Sequence, residues 1–64
     1  MINEPHYIVT VNGINVGIFN SIVEADNAGV QACNNGVAGY AHGTRVIEVR
    51  DSKLNYQLLG RRTL

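Results

Sequence analysis

Asn12-Gly13 constrains this chain more than any other pair of residues in it. It separates two β-rich runs, Tyr7-Ile-Val-Thr-Val11 and Ile14-Asn-Val-Gly-Ile-Phe19. A type I′ turn needs positive φ at both central residues, which Asn and Gly supply at least cost, so the segment predicts a tight β-hairpin. A two-residue loop sets Val11 opposite Ile14, Val9 opposite Val16 and Tyr7 opposite Ile18, and these six then share one face. That face is the expected core face. The reverse carries His6, Ile8, Thr10, Asn15, Gly17 and Phe19.

A helix follows with a readable start. Ser21-Ile-Val-Glu24 has the form of a capping box, in which the Ser21 hydroxyl accepts from the Glu24 amide and the Glu24 carboxylate reaches back to the Ser21 amide. Ile22, Ala25, Ala28, Gly29, Ala32 and Cys33 fall at helical spacing and form one stripe. Gly29 costs about 1 kcal/mol of helix propensity relative to Ala, so it predicts a close approach of the helix backbone to a sheet. Asn35-Gly36 is a stop signal, and the helix is expected over 22–34.

Gly36 to Gly43 fits no period and reads as a loop. Beyond it Thr44–Arg50 and Lys53–Leu59 alternate around an Asp51-Ser52 turn, predicting a second hairpin. Its inner face would hold Ile47, Val49, Leu54, Tyr56 and Leu58, with residues 60–64 as a basic tail or an extension of the last strand. The expectation is an α+β fold, ββαββ: a four-stranded antiparallel sheet in the order 2-1-3-4 with one helix packed on one face, forming a single small domain over residues 1–64. The face the helix leaves uncovered is the place to look for function.

Several function classes are set aside by composition. No run approaches 18 apolar residues, and Met1-Ile-Asn-Glu-Pro5 has neither a basic start nor an apolar stretch, so neither a membrane span nor a secretory signal is expected. One Cys and two His are too few for a disulfide framework or a structural zinc site, and a reduced, cytoplasmic protein without a cofactor is the expectation. Cys33 lies on the helix stripe and reads as a small buried hydrophobe. His6 and His42 are 36 residues apart and assemble no catalytic set; His42 reads as an exposed loop histidine, with a ligand or partner contact as the alternative. Gly36-Val-Ala-Gly-Tyr-Ala-His-Gly43 superficially suggests a phosphate loop, but it leaves a helix and enters a strand, the reverse of what phosphate cradling needs. Whether that loop takes another ligand is open. No enzyme is expected, and no catalytic, cofactor or metal residues are assigned.

Charge is polarised although the net is zero. Residues 1–44 hold Glu4, Glu24 and Asp26 and no Lys or Arg, whereas residues 45–64 hold five cations against Glu48 and Asp51. Such asymmetry guides association with a charged partner, or simply keeps an exposed edge strand soluble. Ile8, Phe19, Val46 and Leu59 would form an apolar patch on the open face, and Val23 and Val30 stand off the helix stripe. The candidate partner-binding residues are Ile8, Phe19, Arg50, Lys53, Asn55 and Gln57, with Arg61 and Arg62 as auxiliaries.

The hairpin Tyr7–Phe19, the capped helix start Ser21-Ile-Val-Glu-Ala-Asp-Asn-Ala28 and the closing segment from Arg45 to Tyr56 resemble, in size and element order, small phage-encoded inhibitor proteins of the anti-CRISPR type. The resemblance spans nearly the whole chain at the level of architecture, and no functional residue is carried over from it. It implies a stoichiometric inhibitor that binds the surface of a bacterial defence complex, acting in the host bacterial cytoplasm. The five acids form no run, which argues against nucleic-acid mimicry. Two other readings stay open: a nucleic-acid-binding module using the basic second hairpin, and a self-associating subunit such as a homodimer.

Overall fold

The computed structural model describes residues 4–36 and 43–64. The order is β1 (Tyr7–Val11), β2 (Ile14–Phe19), α1 (Ile22–Asn34), β3 (Val46–Asp51), a 3₁₀ turn (Ser52–Leu54) and β4 (Gln57–Thr63). The strands form one four-stranded sheet, β2-β1-β3-β4, with every neighbouring pair antiparallel. This is the expected ββαββ arrangement.

Asn12 and Gly13 both take positive φ, +50° and +85°, as the type I′ turn requires. Asn12 also works beyond its own turn. Its side chain donates to the Thr44 carbonyl at 3.1 Å and accepts from the Val46 amide at 2.8 Å, while its backbone N–H donates to the Val46 carbonyl. One residue therefore closes the first hairpin and pins the start of β3 beside β1.

Helix α1 has the expected bounds. Ser21 caps it, accepting from the Glu24 amide at 3.1 Å. The Glu24 carboxylate reaches back one residue further than expected, to the Asn20 amide. Ala25, Gly29, Ala32 and Cys33 are buried, whereas Ile22 is largely exposed. A Cβ on Gly29 would stand 2.7 Å from Ile47 Cγ2 and 3.1 Å from Val9 Cγ2, so the close approach expected there is what the helix makes. Of the two valines off the small-residue stripe, Val30 is half-buried against the core and Val23 is exposed. The core is Val9, Val11, Ile47 and Val49 from the two central strands under Ala25, Ala32 and Cys33 from the helix.

Both hairpins depart from the expected registers, the first through a β-bulge and the second through a longer turn followed by a bulge. In the first hairpin Val11 pairs with Ile14 and Thr10 with Asn15, but Val9 then pairs with Gly17, Ile8 with Ile18 and Tyr7 with Phe19. Val16 is the extra residue. It moves Ile18 to the open face and Phe19 to the helix side, where Phe19 packs against the core with Tyr7 and Val16. In the second hairpin Asp51 pairs with Gln57, Arg50 with Leu58, Val49 with Gly60, Glu48 with Arg61, Ile47 with Arg62 and Val46 with Thr63, leaving Leu59 as the extra residue. The turn is thus longer than Asp51-Ser52, and Leu54 and Tyr56 lie in it, exposed, rather than in the core. Residues 60–63, read as a tail or a strand extension, are the second half of β4.

Candidate protein-binding surface

Helix α1 packs on β1, β2 and β3, and β4 lies beyond it with all seven of its residues exposed. The open face of the sheet can be read across the strands from the registers. One row runs Ile18, Ile8, Arg50, Leu58; the next runs Asn15, Thr10, Glu48, Arg61. Ile18 and Leu58 are 48% and 41% exposed, and the Arg50 stem lies between Ile8 and Leu58 in the same row. Arg50 pairs with Glu48 at 3.5 Å, a partly exposed pair that contributes little to stability. The patch is therefore an apolar row with one cation, bordered by a polar row ending in Arg61.

The residues proposed from sequence divide on this frame. Ile8 and Arg50 are direct cross-strand neighbours on the open face, and Arg61 stands two strands from Thr10 on the same face. Lys53 and Asn55 sit in the β3–β4 turn, and Gln57 begins β4 opposite Asp51. Arg62 is on the helix side and hydrogen-bonds the Asp26 carboxylate of α1, tying β4 to the helix. Phe19 belongs to none of these groups: the bulge at Val16 turns it into the helix-side core, so its placement on the open face is corrected. Of the apolar patch expected with it, Ile8 and Val46 keep the open face, Ile18 takes the place of Phe19, and Leu59 is the bulged residue. His42 and Tyr40, with most of the glycine-rich loop, lie outside the described residues.

The β3–β4 turn is held from its base. Asp51 is only 6% exposed, and its Oδ1 accepts both from His6 Nδ1 at 2.8 Å and from the Lys53 amide at 2.9 Å. Burial pushes the Asp51 carboxyl up, but these hydrogen bonds, with the charges of His6 and Lys53, outweigh it and hold the group below the usual 3.8. The His6 ring lies tilted against Tyr7 with centroids 4.0 Å apart, and the His6 carbonyl accepts from the Ser52 amide. His6 and Asp51 thus form a partly buried His–Asp pair. Its geometry is that of a clasp joining the start of β1 to the end of β3.

Beyond the clasp the chain passes through Asn55 and Tyr56 at φ +55° and +60°, two successive non-glycine residues in the left-handed region. That conformation costs an L-residue roughly 1–2 kcal/mol, and Asn tolerates it better than Tyr. Tyr56 bears it while 59% exposed, with Leu54 exposed beside it. Sequence reasoning missed Leu54, Tyr56, Leu58 and Ile18 as surface residues. Asp51 followed by Ser-Lys is the pattern in which a carboxylate accepts the amide two residues on, and that was the available sign of a longer turn.

Elsewhere, an open groove of about 500 Å³ runs between the end of β2 and the helix, lined by Ile18, Phe19 and Ala28 with Asn20, Glu24, Asn27 and Gln31. No group of three His, Cys, Asp or Glu side chains is placed to hold a metal among the described residues, and no described helix is long and apolar enough to cross a membrane. No protein-family model, curated protein or solved structure matches this chain.

Proposed function

We propose that the chain is a non-catalytic protein-binding module, a small phage or mobile-element inhibitor that binds a bacterial defence complex stoichiometrically in the host cytoplasm. The observation that carries the reading is the second hairpin: β4 is exposed along its whole length and continues the apolar row Ile18, Ile8, Arg50, Leu58. Fixing a residue's backbone costs about 1–2 kcal/mol, and a strand that buries no core of its own gains little to offset it. A partner surface would supply the missing burial. The contact set is Ile8, Arg50, Leu58 and Arg61 on the face, with Lys53, Asn55 and Tyr56 at the tip and Gln57 at its base. Asp26 already engages Arg62, which leaves it an auxiliary role.

The exposed Tyr56 beside Lys53 also favours a second reading, in which the tip stacks on single-stranded nucleic acid. One experiment separates the two: affinity capture from bacterial lysate with and without nuclease, using the wild-type chain and the Leu58→Asp and Arg50→Glu variants. A stoichiometric protein complex that survives nuclease and is lost with both variants supports the inhibitor reading. Recovery that collapses with nuclease moves the function to nucleic acid, and a complex indifferent to both variants overturns the assigned surface.

A further inference from the structure

We propose that β4 is a docking edge for an extended acidic segment of the partner, which adds to the sheet as a fifth strand; this rests on the protein-binding reading above. An edge strand presents a row of backbone N–H and C=O groups that no neighbour uses. Which residues present them follows from the ladder. The Leu64 N–H donates to the Arg45 carbonyl, and Ile47 pairs with Arg62 and Val49 with Gly60, so alternate β4 residues from Gly60 onward turn their backbone groups to β3. Arg61 and Thr63 fall between them and turn theirs to the open edge.

Charge selects what can pair there. Residues 52–64 contain Lys53, Arg61 and Arg62 and no acid. Arg62 is engaged by Asp26, while Lys53 and Arg61 make no ion pair among the described residues. Cations on an edge strand repel a second copy of the same edge, which accounts for their value against aggregation. The same cations attract a strand with acidic side chains, so the guard against self-pairing doubles as a filter for the partner. Main-chain hydrogen bonds would give affinity, and Arg61 on the open-face side would give selectivity for a carboxylate.

The test titrates the isotope-labelled full chain, by amide NMR, with two capped octapeptides, one alternating Glu and Val and the other Lys and Val. The expected result is saturable shifts along Gln57–Thr63 with the Glu peptide and none with the Lys peptide. Thr63→Pro removes an outward N–H that β3 does not use, a substitution an edge strand tolerates, and Arg61→Glu reverses the local charge while leaving the backbone intact. Each should weaken the Glu peptide by about tenfold or more, and Arg61→Glu should admit the Lys peptide. Shifts centred on Ile8 and Arg50, or equal responses to the two peptides, would overturn the proposal. If lysate capture of a target is undiminished by Thr63→Pro, the binding reading stands and the edge mode falls. Edge binding of the Glu peptide without any captured target leaves the edge chemistry and removes the inhibitor reading.

Discussion

β2 and β4 occupy the two edges of one sheet and share several features: each is joined to its neighbour by a hairpin, and each contains a glycine and a bulge. They differ in what lies over them. β2 carries no charged residue and turns Val16 and Phe19 under helix α1, against the core. β4 carries Arg61 and Arg62, lies beyond the helix, and is exposed from end to end. The difference shows that a place in the hydrogen-bonded ladder is not the same as a place in the core. β2 is held by side-chain burial as well as backbone bonds, whereas β4 depends on its ladder to β3, the Arg62–Asp26 contact and the Asp51 clasp at its turn.

The largest perturbation removes the support both edges share. Ile47 is 1% exposed at the centre of the sheet, under Gly29 of the helix. Ile47→Ala should cost about 2–5 kcal/mol in denaturant unfolding and lower the whole transition. The comparison is sharpened by a matched pair: Phe19→Ala on the β2 edge should cost about 1–3 kcal/mol, whereas Leu58→Ala on the β4 edge should cost about 0.5 kcal/mol or less. Equal losses would mean that the edges are equally supported. Tyr56→Gly should raise stability by roughly 1 kcal/mol by relieving the left-handed backbone of the turn. If Tyr56 is held there for contact, the same variant should bind the captured target less well.

The smallest expected effect is that of pH, because burial at Asp51 opposes the hydrogen bonds that favour its charged form. A carboxyl held below its usual 3.8 contributes stability above that value and loses it as pH falls through the lowered one. Denaturant unfolding between neutral and acid pH should show this acid loss in the wild-type chain, and Asp51→Asn should flatten it.

Much of the architecture was legible because independent local signals agreed: the Asn12-Gly13 turn, the Ser21 cap, the small-residue stripe around Gly29 and the antiparallel order that a helical crossover permits. The faces of the outer strands were harder to read, and the two errors have different physical origins. In β2 strict alternation was carried through Gly17, which adjoins the extra residue of a bulge, Val16. In the second hairpin a two-residue turn at Asp51-Ser52 was expected where the chain runs on through Leu54, Asn55 and Tyr56, so that Leu58 lies opposite Arg50 on the open face. A glycine inside a strand pattern is itself a bulge signal, since it gives up side-chain packing for backbone freedom. At Gly17 the space is also used: a Cβ there would stand 3.1 Å from the Phe19 ring, so the glycine makes room for the aromatic that the bulge turns inward. Of the site, Ile8, Arg50 and Arg61 could be placed by alternation or composition. The strained exposure of Tyr56 could not, because it depends on the 3₁₀ turn that Asp51 caps.

The central claim, that β4 is ordered by its ladder and not by a core, is tested most directly by native-state hydrogen exchange of the isolated chain. The amides of Gly60 and Arg62, which face β3, should open at a free energy well below that of global unfolding, while the amides between β1 and β2 exchange only with the whole molecule. Exchange of Gly60 and Arg62 at the global free energy, indistinguishable from β1 and β2, would contradict the account.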